Sequence, residues 1–236
     1  TVTGTNLTGC TGQKTITIIV VPIPTITANA SPVAICPGSS STLTATGATS
    51  YTWNPGGLSG TPVTVTPTIT TTYTLIGSSG GCSTNTTVIV TVNPTPTLTA
   101  TASPTAICPG GSSTLSATGG VSYTWNPGGL SGSPVTVSPL VNTTYTLIGT
   151  NALGCSATKT VAVIINPSPT ITVSASTPSI CAGSSAVLTA SGAVTYSWNP
   201  GGLSGTSVTV TPIVTTTYTV TGTNLTGCTG QKTITI

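Results

Sequence analysis

The chain has 236 residues with no Asp, Glu or His, and its charged side chains are Lys14, Lys159 and Lys232, a formal net charge of +3. General acid–base catalysis, activated serine nucleophiles and carboxylate cation sites all need groups this composition withholds, and no C-x-x-C pair is present to hold zinc. Three scattered lysines make no phosphate-binding patch and no apolar run nears the ~18 residues of a membrane span, so the sequence is read as neither enzyme, cofactor or metal protein, nucleic-acid binder nor membrane-spanning chain.

In chain order, residues 1–18 read TVTGTNLTGCTGQKTITI, and residues 219–236 repeat them without change. Residues 1–21 are therefore read as the C-terminal strands of a preceding repeat. Thr15–Ile18 alternates as a half-buried strand does. The most apolar run, Ile16–Ile23, is too short to span a bilayer and contains Pro22. Thr1 opens no recognisable signal peptide, which predicts a mature or internal segment. Three repeats follow: 22–93, 94–166 and 167–236, the last lacking the end of its final strand. Each carries W-N-P-G-G-L-S-G, at Trp53, Trp125 and Trp198, with a Tyr two residues before (Tyr51, Tyr123, Tyr196) and another twenty residues after (Tyr73, Tyr145, Tyr218). An L-x-A pair lies upstream: Leu43–Ala45, Leu115–Ala117 and Leu188–Ala190. Such agreement marks a repeat architecture. The overlap of the ends fits a window on one long polypeptide, and it also fits strand addition between identical subunits.

Within a repeat the apolar period is two, as in Val63–Thr66 and Thr72–Leu75, and β-branched residues abound. Gly and Pro punctuate the turns at Cys36–Gly38 and Asn54–Gly57. No segment has helical spacing. This predicts an all-β protein: tandem small immunoglobulin-like β-sandwich repeats of about 73 residues in an elongated array, each with six or seven strands and a Trp in its third strand as core anchor. A sugar-binding Trp is the alternative for that residue.

So small a domain buries little surface, and cysteines offer reinforcement. Cys36 and Cys82, Cys108 and Cys155, and Cys181 and Cys228 recur at matching places, which predicts one disulfide within each repeat. Cys10, the counterpart of Cys82, would pair with the upstream repeat. Persistent disulfides predict an extracellular or cell-surface protein.

Cys36–Gly47 (CPGSSSTLTATG), followed by Y-T-W-N-P, T-T-T-Y-T-L and G-G-C, resembles the Ig-like and PKD-like tandem repeats of secreted surface proteins of Bacteroidota, among them adhesins and filament proteins. The likeness covers essentially the whole chain. It implies stalks, spacers or extracellular filaments. Where immunoglobulins carry L-x-C, this chain has Ala45, Ala117 and Ala190. Where PKD repeats carry W-D-F-G-D-G, it has W-N-P-G-G. Adhesins of this kind stiffen their linkers with calcium bound by Asp. Here Asn93-Pro94-Thr95-Pro96 and Asn166-Pro167-Ser168-Pro169 must do so instead.

With 1% charged residues, far below the roughly one quarter of ordinary domains, the surface needs another shield: sugars, burial in an assembly, or both. Candidate glycosylation sites are the sequons at Asn6, Asn29, Asn85, Asn142 and Asn224, and the outward hydroxyls of Thr64, Thr66, Thr136, Thr209 and Thr211. The leading expectation is a structural, self-assembling, glycosylated repeat array of a bacterial surface fibre or stalk, its partner being itself. An adhesin module that binds a surface glycan through loops at Asn54, Asn126 and Asn199 is the second reading. An ice-binding face of ordered Thr rows is the third.

Overall fold

Alternating β-branched residues cannot bury one face without a partner sheet, and the chain meets this need three times. The computed structural model describes residues 1–236 and is all-β, with no helix. A hairpin opens it, β1 (Val2–Thr5) with β2 (Thr11–Lys14). The first repeat holds β3 (Thr27–Ser31), β4 (Ala34–Ile35), β5 (Ser41–Thr46), β6 (Ser50–Asn54), β7 (Leu58–Ser59), β8 (Val63–Val65), β9 (Thr71–Ser79) and β10 (Cys82–Val92). One sheet has the order β3-β5-β8, and the facing one β4-β10-β9-β6-β7.

The second repeat has the same plan: β11 (Thr99–Ser103), β12 (Ala106–Ile107), β13 (Ser113–Thr118), β14 (Ser122–Asn126), β15 (Leu130–Ser131), β16 (Val135–Val137), β17 (Thr143–Thr150) and β18 (Ser156–Ile165). Its sheets are β11-β13-β16 and β12-β18-β17-β14-β15. The third holds β19 (Thr172–Ala175), β20 (Ala186–Ser191), β21 (Thr195–Asn199), β22 (Leu203–Ser204), β23 (Ser207–Val210), β24 (Thr217–Thr223) and β25 (Thr229–Thr235), in sheets β19-β20-β23 and β22-β21-β24-β25. It forms no counterpart of the short parallel strands β4 and β12, which pair with Thr91–Val92 and Ile164–Ile165. The chain divides into two compact units, Thr1–Thr95 and Pro96–Ile236.

The cores repeat as the sandwiches do. Trp53, Trp125 and Trp198 are buried to 1% exposure or less, packed with Leu43, Leu115 or Leu188 and with Tyr73, Tyr145 or Tyr218. Each indole N–H donates to a carbonyl of the following turn, Gly60, Gly132 or Gly205, at 3.1, 3.1 and 3.0 Å. Burial on this scale, with the one polar atom satisfied inward, makes Trp a core anchor and removes the sugar-binding alternative. The preceding tyrosines close a turn: the Tyr123 hydroxyl accepts from Gly120 N and donates to Gly120 O, and Tyr51 and Tyr196 do the same at Ala48 and Ala193.

One expected strand is absent. Thr15–Ile18 has no sheet partner, and Ile16 and Ile18 are exposed. The identical residues Thr233–Thr235 lie in β25, where Ile234 pairs with Tyr218. In the third repeat those residues pair with Thr217–Thr219 of β24, whereas β2 ends at Lys14.

Two predictions follow from this core. Gly119 (φ +94°) lies where a Cβ would strike the Thr97 carbonyl oxygen, whereas Gly129 (φ +59°) faces open space. Gly129→Ala is expected to cost about 1 kcal/mol, the left-handed penalty alone, and Gly119→Ala about 3 kcal/mol or more; equal urea midpoints for the two variants would contradict this. Burial raises the Tyr73 and Tyr145 phenols above the ordinary 10.0. A raised phenol contributes stability that is complete below the unfolded value and lost as pH climbs through the folded one. With no carboxylate or imidazole side chain, the denaturation midpoint should stay flat from about pH 4 to 7 and fall above about pH 10. The check is a pH series of urea melts, in which a marked acid transition would be the contrary result.

Candidate functional site: a stapled junction between repeats

The cysteines do not pair within repeats. Cys108 is bonded to Cys228, 120 residues on, with Cα atoms 5.4 Å apart. Cys36 and Cys155 are disulfide-bonded as well, while Cys10, Cys82 and Cys181 are free thiols. Pairing of Cys108 with Cys155 and of Cys181 with Cys228 is thereby corrected, and so is pairing of Cys36 with Cys82.

Sheet geometry supplies the reason. Cys36 directly follows β4, whose Ile35 lies beside Val92 at the far end of β10, whereas Cys82 begins β10. Ten residues of extended strand separate the two positions, about 33 Å at ~3.3 Å per residue. Cys108 follows Ile107, which lies beside Ile165 at the end of β18, while Cys155 immediately precedes that strand. A disulfide tolerates Cα atoms no more than about 7 Å apart, so the two cysteines of one sandwich, at opposite ends of it, cannot meet. The trailing end of one repeat and the leading hairpin of the next can.

That hairpin is built to receive the linker. In the β24–β25 turn the Asn224 carboxamide oxygen accepts from Thr226 N and Cys228 N, at 3.0 and 2.9 Å, which fixes the turn locally. Its amide nitrogen donates to the carbonyl of Pro167 at 2.9 Å. Sγ of Cys228 lies 3.6 Å from the Asn166 carbonyl oxygen, and Cys228 is wholly buried. The segment Asn166-Pro167-Ser168-Pro169 is thus held by a hydrogen bond and closed over by a disulfide. Prolines alone, the stiffening device read from sequence, are only part of the junction. Asn151 and Asn6 make the same turn bonds, to Leu153 N and Cys155 N and to Thr8 N and Cys10 N. The shared T-N-x-x-G-C of Asn6, Asn151 and Asn224 was the available sign of this role. Asn6 and Asn224 also fall in N-x-T sequons.

The remaining candidates are placed as follows. Asn29, Asn85, Thr64, Thr66, Thr136, Thr209 and Thr211 are exposed on outward strand faces or just beyond them. Asn142 is exposed, but its side-chain oxygen accepts from Ile165 N at 2.7 Å. Asn224 has both ends of its amide engaged. Asn54, Asn126 and Asn199 are exposed at the same turn of each repeat.

No protein-family model matches the chain, and no curated protein matches it by sequence. Among solved structures it is similar to a Ca2+-stabilised, ice-binding adhesin of an Antarctic bacterium, at 15% identity and TM-score 0.37 over 99% of this chain and 79% of that one. It is also similar to the I-band fragment I67–I69 of titin, at 13% identity and TM-score 0.37 over 92% and 98%. A 1.5-MDa bacterial ice-binding adhesin is similar at 13% identity and TM-score 0.34 over 91% and 97%. The present chain is an all-β tandem of immunoglobulin-like sandwiches.

The staple closes a loop of 120 residues, for which the chain-entropy model gives a contribution of about 5 kcal/mol. Replacing both sulfurs in Cys108→Ala/Cys228→Ala should lower the denaturation midpoint of Pro96–Ile236 while the near-ultraviolet signal of Trp125 and Trp198 survives. An unchanged midpoint would show that the bond adds nothing to stability.

Proposed function

We propose that the chain is a structural extracellular protein, a repeat array that forms a bacterial surface fibre or stalk. The observation that carries this reading is the Cys108–Cys228 bond between consecutive repeats. A bond at that place creates no recognition surface and no reactive centre. What it does is stop one sandwich from swinging or pulling away from the next, the property a fibre needs. Disulfides also belong to oxidising, extracytosolic surroundings.

Self-assembly and glycosylation complete the proposal and answer the shortage of charge. In the three-stranded sheets the outward residues form ranks of hydroxyls. Thr27 stands opposite Thr46, and Thr42 lies between Ser31 and Thr64. The second repeat repeats the pattern with Thr99 opposite Thr118, and Thr114 between Ser103 and Thr136. Thr27–Thr46 and Thr99–Thr118 are hydrogen-bonded at 2.6 and 2.5 Å. Edge-strand hydroxyls such as Thr64, Thr136 and Thr209 are exposed and suited to O-linked sugar. Asn29 and Asn85 are the sequons with outward side chains, whereas Asn224 spends its amide on the junction.

The glycan-binding reading rests on the turns at Asn54, Asn126 and Asn199. Each copy has the same Pro-Gly-Gly turn, with its glycines at φ near +106° and +59°, so the residues are accounted for by backbone geometry. Ice binding would need a flat rank of hydroxyls, which the twist of three-stranded sheets disfavours.

Cryo-electron microscopy of native material tests the proposal, together with intact mass. The expected result is a continuous polymer of sandwiches with added density on outward Thr or Asn, and a mass above the 22.9 kDa of the polypeptide. Dispersed, bare molecules of that mass would overturn it.

A further inference from the structure

Three thiols are left over by the pairing described above, and their positions are not arbitrary. In the Cys108–Cys228 bridge the first cysteine of a repeat (Cys108, after β12) joins the second cysteine of the following repeat (Cys228, in the β24–β25 turn). By this rule the first cysteine of the last repeat, Cys181, and the second cysteine of the first repeat, Cys82, have no partner between residues 22 and 236. These are the first and second cysteines that are free, and Cys181 is exposed. Cys10, whose flanking residues are those of Cys228, is the remaining one and is exposed.

The seat of Cys82 matches that of the bonded cysteine. Its thiol reaches the carbonyl oxygen of Val21 at 3.5 Å, as Sγ of Cys228 lies 3.6 Å from that of Asn166. Val21 and Asn166 are the same position of the repeat, each immediately before the proline of a linker. Cys82 is therefore held at the mouth of a linker with its sulfur placed as in the completed staple, but without its partner sulfur.

We propose that Cys181 and Cys82 are complementary half-staples: Cys181 of one 218-residue unit bonds Cys82 of the next, so that the joint between units is the same covalent joint as the one inside them. This inference rests on the fibre reading and adds its chemistry. Two thiols form one S–S bond and release two protons and two electrons. The acceptor is a disulfide oxidant, reached by thiol–disulfide exchange, that leaves as the dithiol. The partner is a further copy of this repeat unit, whether it continues the same polypeptide or belongs to a second chain.

The test uses native assembled material, blocked with iodoacetamide and digested without reductant by trypsin and chymotrypsin together. Cleavage after Lys159 and Leu188 isolates Cys181 in residues 160–188, and cleavage after Leu75 and Leu98 isolates Cys82 in residues 76–98. The expected result is that nearly all Cys181 appears in a 160–188/76–98 disulfide-linked pair that reductant separates. Alkylated Cys181, or Cys181 joined to any other cysteine, overturns the proposal. If a polymer is present in the same sample, that outcome leaves the fibre reading standing, whereas dispersed molecules remove the fibre reading itself. Denaturing gels distinguish the source of the partner. A ladder that reductant collapses supports a bond between separate chains, and a reductant-insensitive mass alongside the linked peptide supports one continuous chain. A Cys181→Ser variant, altered only at an exposed position, should lose the linked peptide and keep the Trp core signal.

Discussion

A strand about 33 Å long stands between the two cysteines of the first sandwich and again between those of the second, and most of what is distinctive here follows from that separation. A disulfide cannot reach across it, so the sulfurs are useless for bracing the repeat that carries them and available for bracing its neighbour. Cys108 and Cys228 show the consequence. The trailing end of the second repeat is tied to the leading hairpin of the third, and the Pro-containing linker between them lies under that hairpin, bonded through Asn224 to Pro167. The cross-link therefore governs how repeats are joined, while the stability of each repeat must come from its interior.

That interior is economical. One Trp, one or two Tyr, one to three Leu, an Ile and a few Val and Ala side chains fill each core. The fit depends on absences as much as on bulk. A Cβ on Gly149 in β17 would collide with the Leu98 side chain, and Gly77 and Gly222 face Ile26 and Ile171 in the same way. The few polar groups inside are satisfied. The buried Ser41 and Ser113 donate to the carbonyls of Pro32 and Pro104, and no buried side-chain nitrogen or oxygen lacks a partner. With no carboxylate or imidazole side chain to bury, the core carries none of the electrostatic liabilities that low pH exposes in other proteins.

The outside is equally uniform. Charge is nearly absent, and ranks of Thr and Ser hydroxyls take its place on the outer faces of the three-stranded sheets. Such faces are wettable without being charged, and each hydroxyl is a point at which sugar can be attached. Exposed apolar side chains remain, such as Ile69, Leu140 and Ile213, in the stretch before β9, β17 and β24 in each repeat. These apolar side chains on a nearly uncharged surface are what the proposed sugar coat or assembly would cover.

Much of this was legible in the residues. Period-two alternation, the recurring W-N-P-G-G turn and the 72- and 73-residue spacings dictated three all-β sandwiches, and the buried Trp with its tyrosines was readable as their anchor, because local pattern and core filling are properties of the chain itself. The pairing of the cysteines was not. Spacings of 46 and 47 residues look like loops to be closed, and only the sheet order, with β4 beside the far end of β10, places those cysteines at opposite ends. Asn224 belongs to this class as well, a sequon by its neighbours and a linker clamp by its position. The sequence by itself determined the repeat, its alternation and its core, which are local and periodic. The tertiary structure decided which ends meet, because that depends on how strands are ordered in space and not on how far apart residues stand along the chain.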